Sequence, residues 1–135
     1  MKTDTYTANL PDNSLMQLVN LTRIGLKQKS VHNLAKSLNI NVSELSKYLP
    51  ISERTLQRYP SNKTLSKTLS DHILQIQKAL KKAINVFEDD GKAVEWLKHD
   101  NIALGSIKPI DLFDTYSGIE MVSDELSRIE YGVFA

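Results

Sequence analysis

The sequence predicts an all-α fold. Apolar residues recur at helical spacing in one segment after another, and Ser, Asn, Gly and Pro bracket those segments. No stretch shows the period-two alternation of a half-buried strand.

Residues 1–11 are polar and aperiodic and read as a flexible arm. Asp12 or Asn13 can cap a first helix running to about Ile24. That helix would turn Leu15, Leu18, Val19 and Leu21 inward and stop at Gly25. Ser30 can cap a second helix from Val31 to Leu38, in which Val31, Leu34, Ala35 and Leu38 follow i, i+3, i+4, i+7. Asn41 with Glu44 three residues on has the form of a capping box. The short helix after it would bury Val42, Leu45 and Leu49 and end at Pro50. Ser52 caps the next, Glu53 to Tyr59, which Pro60 stops.

Ser66 opens the longest helix. Its residues Leu69, Ile73, Ile76, Leu80, Ala83, Ile84 and Phe87 form a seam suited to a bundle core or a dimer interface. Asp89-Asp90-Gly91 breaks it. A helix from Lys92 to about Lys98 holds Ala93, Trp96 and Leu97, and Asn101 to Lys108 reads as a rigid loop with Gly105 at positive φ. Pro109 suits the first position of a short helix through Phe113. Ser117 and Glu120 make a second capping box for a last helix that buries Ile119, Val122, Leu126 and Ile129 and ends at Gly132. The expected organisation is an arm (1–11), a helix-turn-helix domain (12–65), a connecting helix (66–88) and a C-terminal module (89–135).

Charge divides along similar lines. Residues 1–87 carry 13 Lys+Arg against 5 Asp+Glu, a net of +8, and residues 88–135 carry 4 against 11, a net of −7. The overall +1 conceals this. A basic part can meet a polyanion that would repel an acidic one, so two partners are expected: nucleic acid for the first part and a protein for the second.

With 135 residues the chain is one compact domain or two very small ones, and dimerisation would add useful burial. No cysteine is present, which excludes disulfides, thiol catalysis and Cys-ligated zinc. There is no apolar run of signal-peptide or membrane-span length, so a cytoplasmic protein is expected, with no membrane partner. His32, His72 and His99 lack metal-ligand spacing, and no phosphate loop or nucleophile elbow occurs. Asp111, Asp114 and Glu120 sit at helix starts, where carboxylates favour the dipole. Neither enzyme activity nor a metal or cofactor is expected.

Two short helices joined by Leu49-Pro50-Ile51-Ser52 have helix-turn-helix spacing. Leu45, Leu49, Ile51 and Leu56 would face inward, leaving Ser52, Arg54, Thr55, Gln57 and Arg58 outward. Arg can pair with guanine, Gln with adenine, and Ser or Thr with phosphate. Lys47, Lys63 and Lys67 could add phosphate contacts. A solvated basic surface would show the same residues, and Tyr59 could stack on DNA or pack on the core.

The last third resembles the toxin-binding domain of the Xre, MbcA and ParS antitoxins. The residues that carry the likeness are Ala93, Trp96-Leu97, Asn101-Ile102-Ala103-Leu104-Gly105, Lys108-Pro109-Ile110-Asp111-Leu112-Phe113, Thr115, Gly118, Val122, Leu126, Arg128-Ile129 and Tyr131-Gly132-Val133-Phe134-Ala135. Val42–Arg58, in particular Arg54-Thr55-Leu56-Gln57-Arg58, is similar to the family's helix-turn-helix. Tyr59 departs from it, standing where relatives often carry a second basic residue; this bears on the operator sequence.

The resemblance implies the antitoxin of a type II toxin–antitoxin pair. Such a chain occludes the active site of a cognate RES-domain toxin that attacks NAD, and it binds operator DNA in its own promoter, as a homodimer by helix-turn-helix precedent. An acidic module suits an electropositive dinucleotide site. Toxin contacts are expected from Trp96, Leu104, Gly105, Tyr131, Gly132, Val133, Phe134 and Ala135, with the apolar tail and its terminal carboxylate entering the pocket. Two plainer alternatives remain: Trp96 as core, and Tyr131 and Phe134 folded back on their own domain. A stand-alone repressor, whose C-terminal module serves dimerisation or another effector, and a protein-binding module without DNA binding are the competing functions.

Overall fold

The computed structural model describes residues 15–132. The expected arm, the cap at Asp12 or Asn13 and the tail residues Val133, Phe134 and Ala135 lie outside them. Most of the described residues are helical. No strand occurs among them; of two isolated antiparallel bridges, Asn101 with Ile107 closes a turn and Lys27 with Thr64 joins segments far apart in the chain. The chain divides into two compact units, Met1–Gln77 and Lys78–Ala135.

In the first unit, α1 (Leu15–Ile24) precedes α2 (Gln28–Ser37), α3 (Val42–Ser46), α4 (Glu53–Gln57) and the first half of α5 (Lys67–Phe87). The periodic positions of α2 are buried as expected: Val31, Leu34, Ala35 and Leu38 join Leu45, Leu49, Leu56, Leu69 and Ile73 in the core. Val42 and Ile51 are only half-buried.

Helix α1 departs from its pattern. None of its residues is buried, Leu18 and Leu21 are half-covered, and Leu15 and Val19 are exposed. The core of this unit is filled from α2 onward, which leaves α1 little apolar surface to cover. Gly25 stops α1 at φ +93°, its N–H donating to the Leu21 carbonyl at 2.9 Å. Helix α2 starts before Ser30, which is buried inside it, and Lys27 holds the cap position. Long-range ties set that start. The Gln28 side chain donates to the Leu56 carbonyl at 3.0 Å, and the Leu65 N–H donates to the Leu26 carbonyl at 2.7 Å.

Gln77 is fully buried, and neither its Oε1 nor its Nε2 has a hydrogen-bond partner among the described residues. An unpaired buried amide costs about 1–3 kcal/mol. Gln77→Met, close to it in shape, is therefore expected to raise stability by about 1–2 kcal/mol, read as a higher midpoint in urea. An unchanged midpoint would show the amide to be satisfied in solution.

The second unit runs from the second half of α5 into α6 (Asp90–Leu97), two 3-10 turns (Ile102–Leu104 and Pro109–Leu112), α7 (Tyr116–Ser127) and a π-helical turn, Arg128–Gly132. Its core is Leu80, Ala83, Ala93, Leu97, Ile110, Phe113, Ile119, Val122 and Leu126. Ile84, Phe87 and Ile129 are half-buried. The break after α5 falls where expected, with Glu88 at φ +55°; Asp89 then caps α6, its carboxylate accepting from Lys92 N at 2.8 Å. The helix thus begins two residues before Lys92.

The second capping box is not formed. Thr115 caps α7, its Oγ1 accepting from Gly118 N at 2.9 Å, and Ser117 lies within the first turn. The Pro109–Leu112 turn presses its last carbonyl against Gly118, which fixes the helix start at that point. Lys82 of α5 donates to Ser123 Oγ at 3.0 Å and to Ser127 Oγ, tying α5 to α7.

Candidate functional site

The first unit presents a helix-turn-helix. Asn41 Oδ1 accepts from Glu44 N at 2.7 Å and Glu44 Oε1 from Asn41 N at 3.2 Å, completing the capping box of α3. Leu49 turns the chain inward, and Ser52 Oγ accepts from Thr55 N at 3.1 Å to start α4. Leu56 anchors α4 in the core, leaving Ser52, Arg54, Thr55, Gln57 and Arg58 exposed together on a two-turn segment.

Several of these side chains already have partners. The Ser52 hydroxyl also donates to Thr55 Oγ1 at 2.8 Å, and Gln57 donates to the Glu53 carboxylate at 3.1 Å. Glu53 is a residue that sequence reasoning passed over; it holds Gln57 and puts a negative charge on the helix. Lys63 Nζ lies 5.7 Å from the centre of the Tyr59 ring, a cation–π distance. Tyr59 is half-buried and donates to the Thr64 carbonyl at 2.7 Å, so its ring braces the loop. Arg54, Arg58 and Lys47 are exposed and make no ion pair among the described residues. Two cationic forks on a helix pinned by Leu56 and by Gln28 can reach base edges or phosphates.

The second unit distributes its expected toxin-contact residues unevenly. Trp96 is half-buried, its ring 5.7 Å from that of Phe87 at 42°, so it is partly core and partly surface. Leu104 is 8% exposed and points into the unit. Gly105 is exposed at φ +83°, as the loop reading required. Tyr131 is 79% exposed and Gly132 half-buried on the π-helical turn. Arg128 donates to both Glu125 carboxylate oxygens at 3.0 and 2.7 Å; that hydrogen bonding first, and the carboxylate charge second, raise the guanidinium pKa. Sequence reasoning missed the exposed apolar residues Ile102, Ile107, Tyr116 and Met121. Apolar periodicity marks a core and gives no sign of which apolar residue is left out of it.

Among the described residues, no group of three or more His, Cys, Asp or Glu could hold a metal ion. No helix there is long and apolar enough to cross a membrane.

Residues 17–78 match the model of the antitoxin Xre-like helix-turn-helix domain, and residues 82–132 match that of the antitoxin Xre/MbcA/ParS C-terminal toxin-binding domain. The chain belongs to the Xre/MbcA/ParS antitoxins. The two matches meet inside α5, close to where the compact units divide. Three relatives span most of it. A "Prs ADP-ribosylating antitoxin" of Sphingobium sp. (strain YBL2) is 27% identical over 84% of this chain and 80% of its own length. The "Antitoxin Xre" of Yersinia enterocolitica is 26% identical over 93% of this chain and 86% of its own. That of Photorhabdus laumondii is 26% identical over 94% and 87%. This Xre/MbcA/ParS antitoxin is thus one half of a toxin–antitoxin system, a regulator and not an enzyme, and its two domains imply a toxin and DNA as partners.

Proposed function

We propose that this antitoxin neutralises a cognate RES-domain toxin that depletes NAD, and that it represses its own operon by binding promoter DNA. One observation carries the proposal: a single chain joins a helix-turn-helix with exposed Arg54 and Arg58, which make no ion pair among the described residues, to a match for a toxin-binding domain. DNA is read by Arg54 and Arg58 and positioned by Lys47, Ser52, Thr55 and Lys63, with Gln57 released from Glu53 on binding. The protein binds as a homodimer over half-sites one helical turn apart.

Toxin contacts come from Trp96, Gly105, Tyr131, Gly132 and the tail Val133–Ala135. The acidic balance of residues 88–135 supports an electropositive partner, as a site for a dinucleotide is. The Sphingobium relative is named for ADP-ribosylation, a reaction in which NAD is the donor, and this favours NAD chemistry in the toxin here. It also gives a second reading, in which the toxin transfers ADP-ribose to a protein.

Co-expression with the product of the adjoining reading frame tests both. The neighbour alone is expected to stop growth and drain NAD, and this chain to restore both. ADP-ribose appearing on a protein would select the transferase reading; growth arrest with NAD intact and no modified protein would refute NAD chemistry. A chain ending at Gly132 is expected to fail in the same rescue with its fold retained, and a full rescue would remove the tail from the interface.

A further inference from the structure

We propose that Ile102 is the apolar anchor with which the antitoxin grips its toxin. This rests on the toxin-binding role of residues 82–132 and assigns a residue that this role leaves open.

Ile102 is 89% exposed. Burying such a side chain is worth about 1.5–3 kcal/mol, so the position forgoes a gain that its own unit does not take. A single exposed isoleucine is ordinary. Here two stand on one closed turn: Ile107, 42% exposed, sits at the other end of the bridge that Asn101 makes with it.

The turn is rigid. Asn101 N–H donates to the Ile107 carbonyl at 3.1 Å. The Asn101 carbonyl accepts from Leu104 N at 3.0 Å and Ser106 N at 2.8 Å, and the Ile102 carbonyl accepts from Gly105 N at 3.1 Å. Gly105 and Ser106 are both left-handed, at φ +83° and +62°. The inward position of the turn is filled by Leu104, so Ile102 has no route into the core.

A side chain held out in water by a fixed backbone loses little freedom when a partner covers it, which is the property of a preorganised binding residue. The neighbouring Asp100 carboxylate is exposed. Lys108, beside Ile107 in the chain, is exposed as well, so the turn carries both signs of charge and the contact rests on Ile102 and Ile107 meeting an apolar dimple of the toxin.

Calorimetric titration of the full chain against the adjoining frame's product tests the assignment. The native chain is expected to bind. Ile102→Arg and Ile102→Ser should each weaken binding, the first by roughly 100-fold, whereas Ile102→Leu stays within about threefold. Melting temperature and promoter-DNA affinity should not change in any variant, because the side chain touches solvent. Native affinity in Ile102→Arg and Ile102→Ser would overturn the anchor and leave the antitoxin function standing. Failure of the native chain to bind would overturn both. Weakened binding that tracks a lowered melting temperature would assign Ile102 a structural role and overturn the anchor.

Discussion

Gly118→Ala is expected to destabilise the second unit severely. A Cβ at this position would lie 1.9 Å from the Leu112 carbonyl oxygen and 2.9 Å from its carbon. Both atoms are backbone, at the end of a turn whose Pro109 and Ile110 are buried, so neither can step aside as a flexible side chain would. The glycine is needed for space, since its own backbone is helical. The cost is about 3 kcal/mol or more, which lowers the melting temperature by roughly 12–24 °C. Gly132→Ala is the control: its Cβ would meet Arg128 Cγ at 3.6 Å, an ordinary contact. Thermal melting followed by circular dichroism separates the two, and equal midpoints would show that the Leu112 turn yields.

Replacing Arg54 and Arg58 together by Ala is expected to remove promoter recognition and nothing else. Each arginine paired with a guanine is worth about 1–3 kcal/mol, so the pair contributes about 2–6 kcal/mol, at least about 30-fold in affinity. Both side chains are exposed without ion pairs among the described residues, so the fold should be indifferent. Lys47→Ala should instead weaken binding evenly across sequences and lower the salt slope by about 1. Fluorescence anisotropy with promoter DNA over a salt series measures both. Unchanged affinity in the double variant would mean that α4 is not the reader, and a loss of toxin binding would mean that the two activities are coupled.

The parts of the fold legible in the sequence were those set by neighbours in the chain. The i, i+3, i+4, i+7 run of α2, the Asn41–Glu44 box, the Ser52 cap and the left-handed Gly105 all depend on residues a few positions apart. The misread starts were decided at longer range. Helix α2 begins early because Gln28 reaches Leu56, and α7 is capped by Thr115 because the Leu112 carbonyl claims the space at Gly118. Helix α1 has the pattern of a buried helix and no buried residue, since periodicity records what a helix could cover and not whether a core has room.

The candidate sites divided in the same way. The outward placement of Arg54 and Arg58 was legible because Leu56 fixes which face of α4 turns inward. The Glu53–Gln57 pair has the i, i+4 spacing of helix neighbours, yet an exposed Gln57 on such a helix reads equally as a base contact. On the Asn101–Lys108 loop, Leu104 was the expected contact, yet the closed turn buries it and lifts Ile102 outward.

Trp96 also gives the molecule an internal optical reporter. It is the chain's one tryptophan, it belongs to the second unit, and it is half-buried against Phe87. Its emission therefore follows the solvation of that unit alone, whereas the helical dichroism signal sums over both. Denaturation monitored by the two signals in parallel will tell whether the DNA-reading and toxin-binding parts melt as one cooperative body or in succession, without any label.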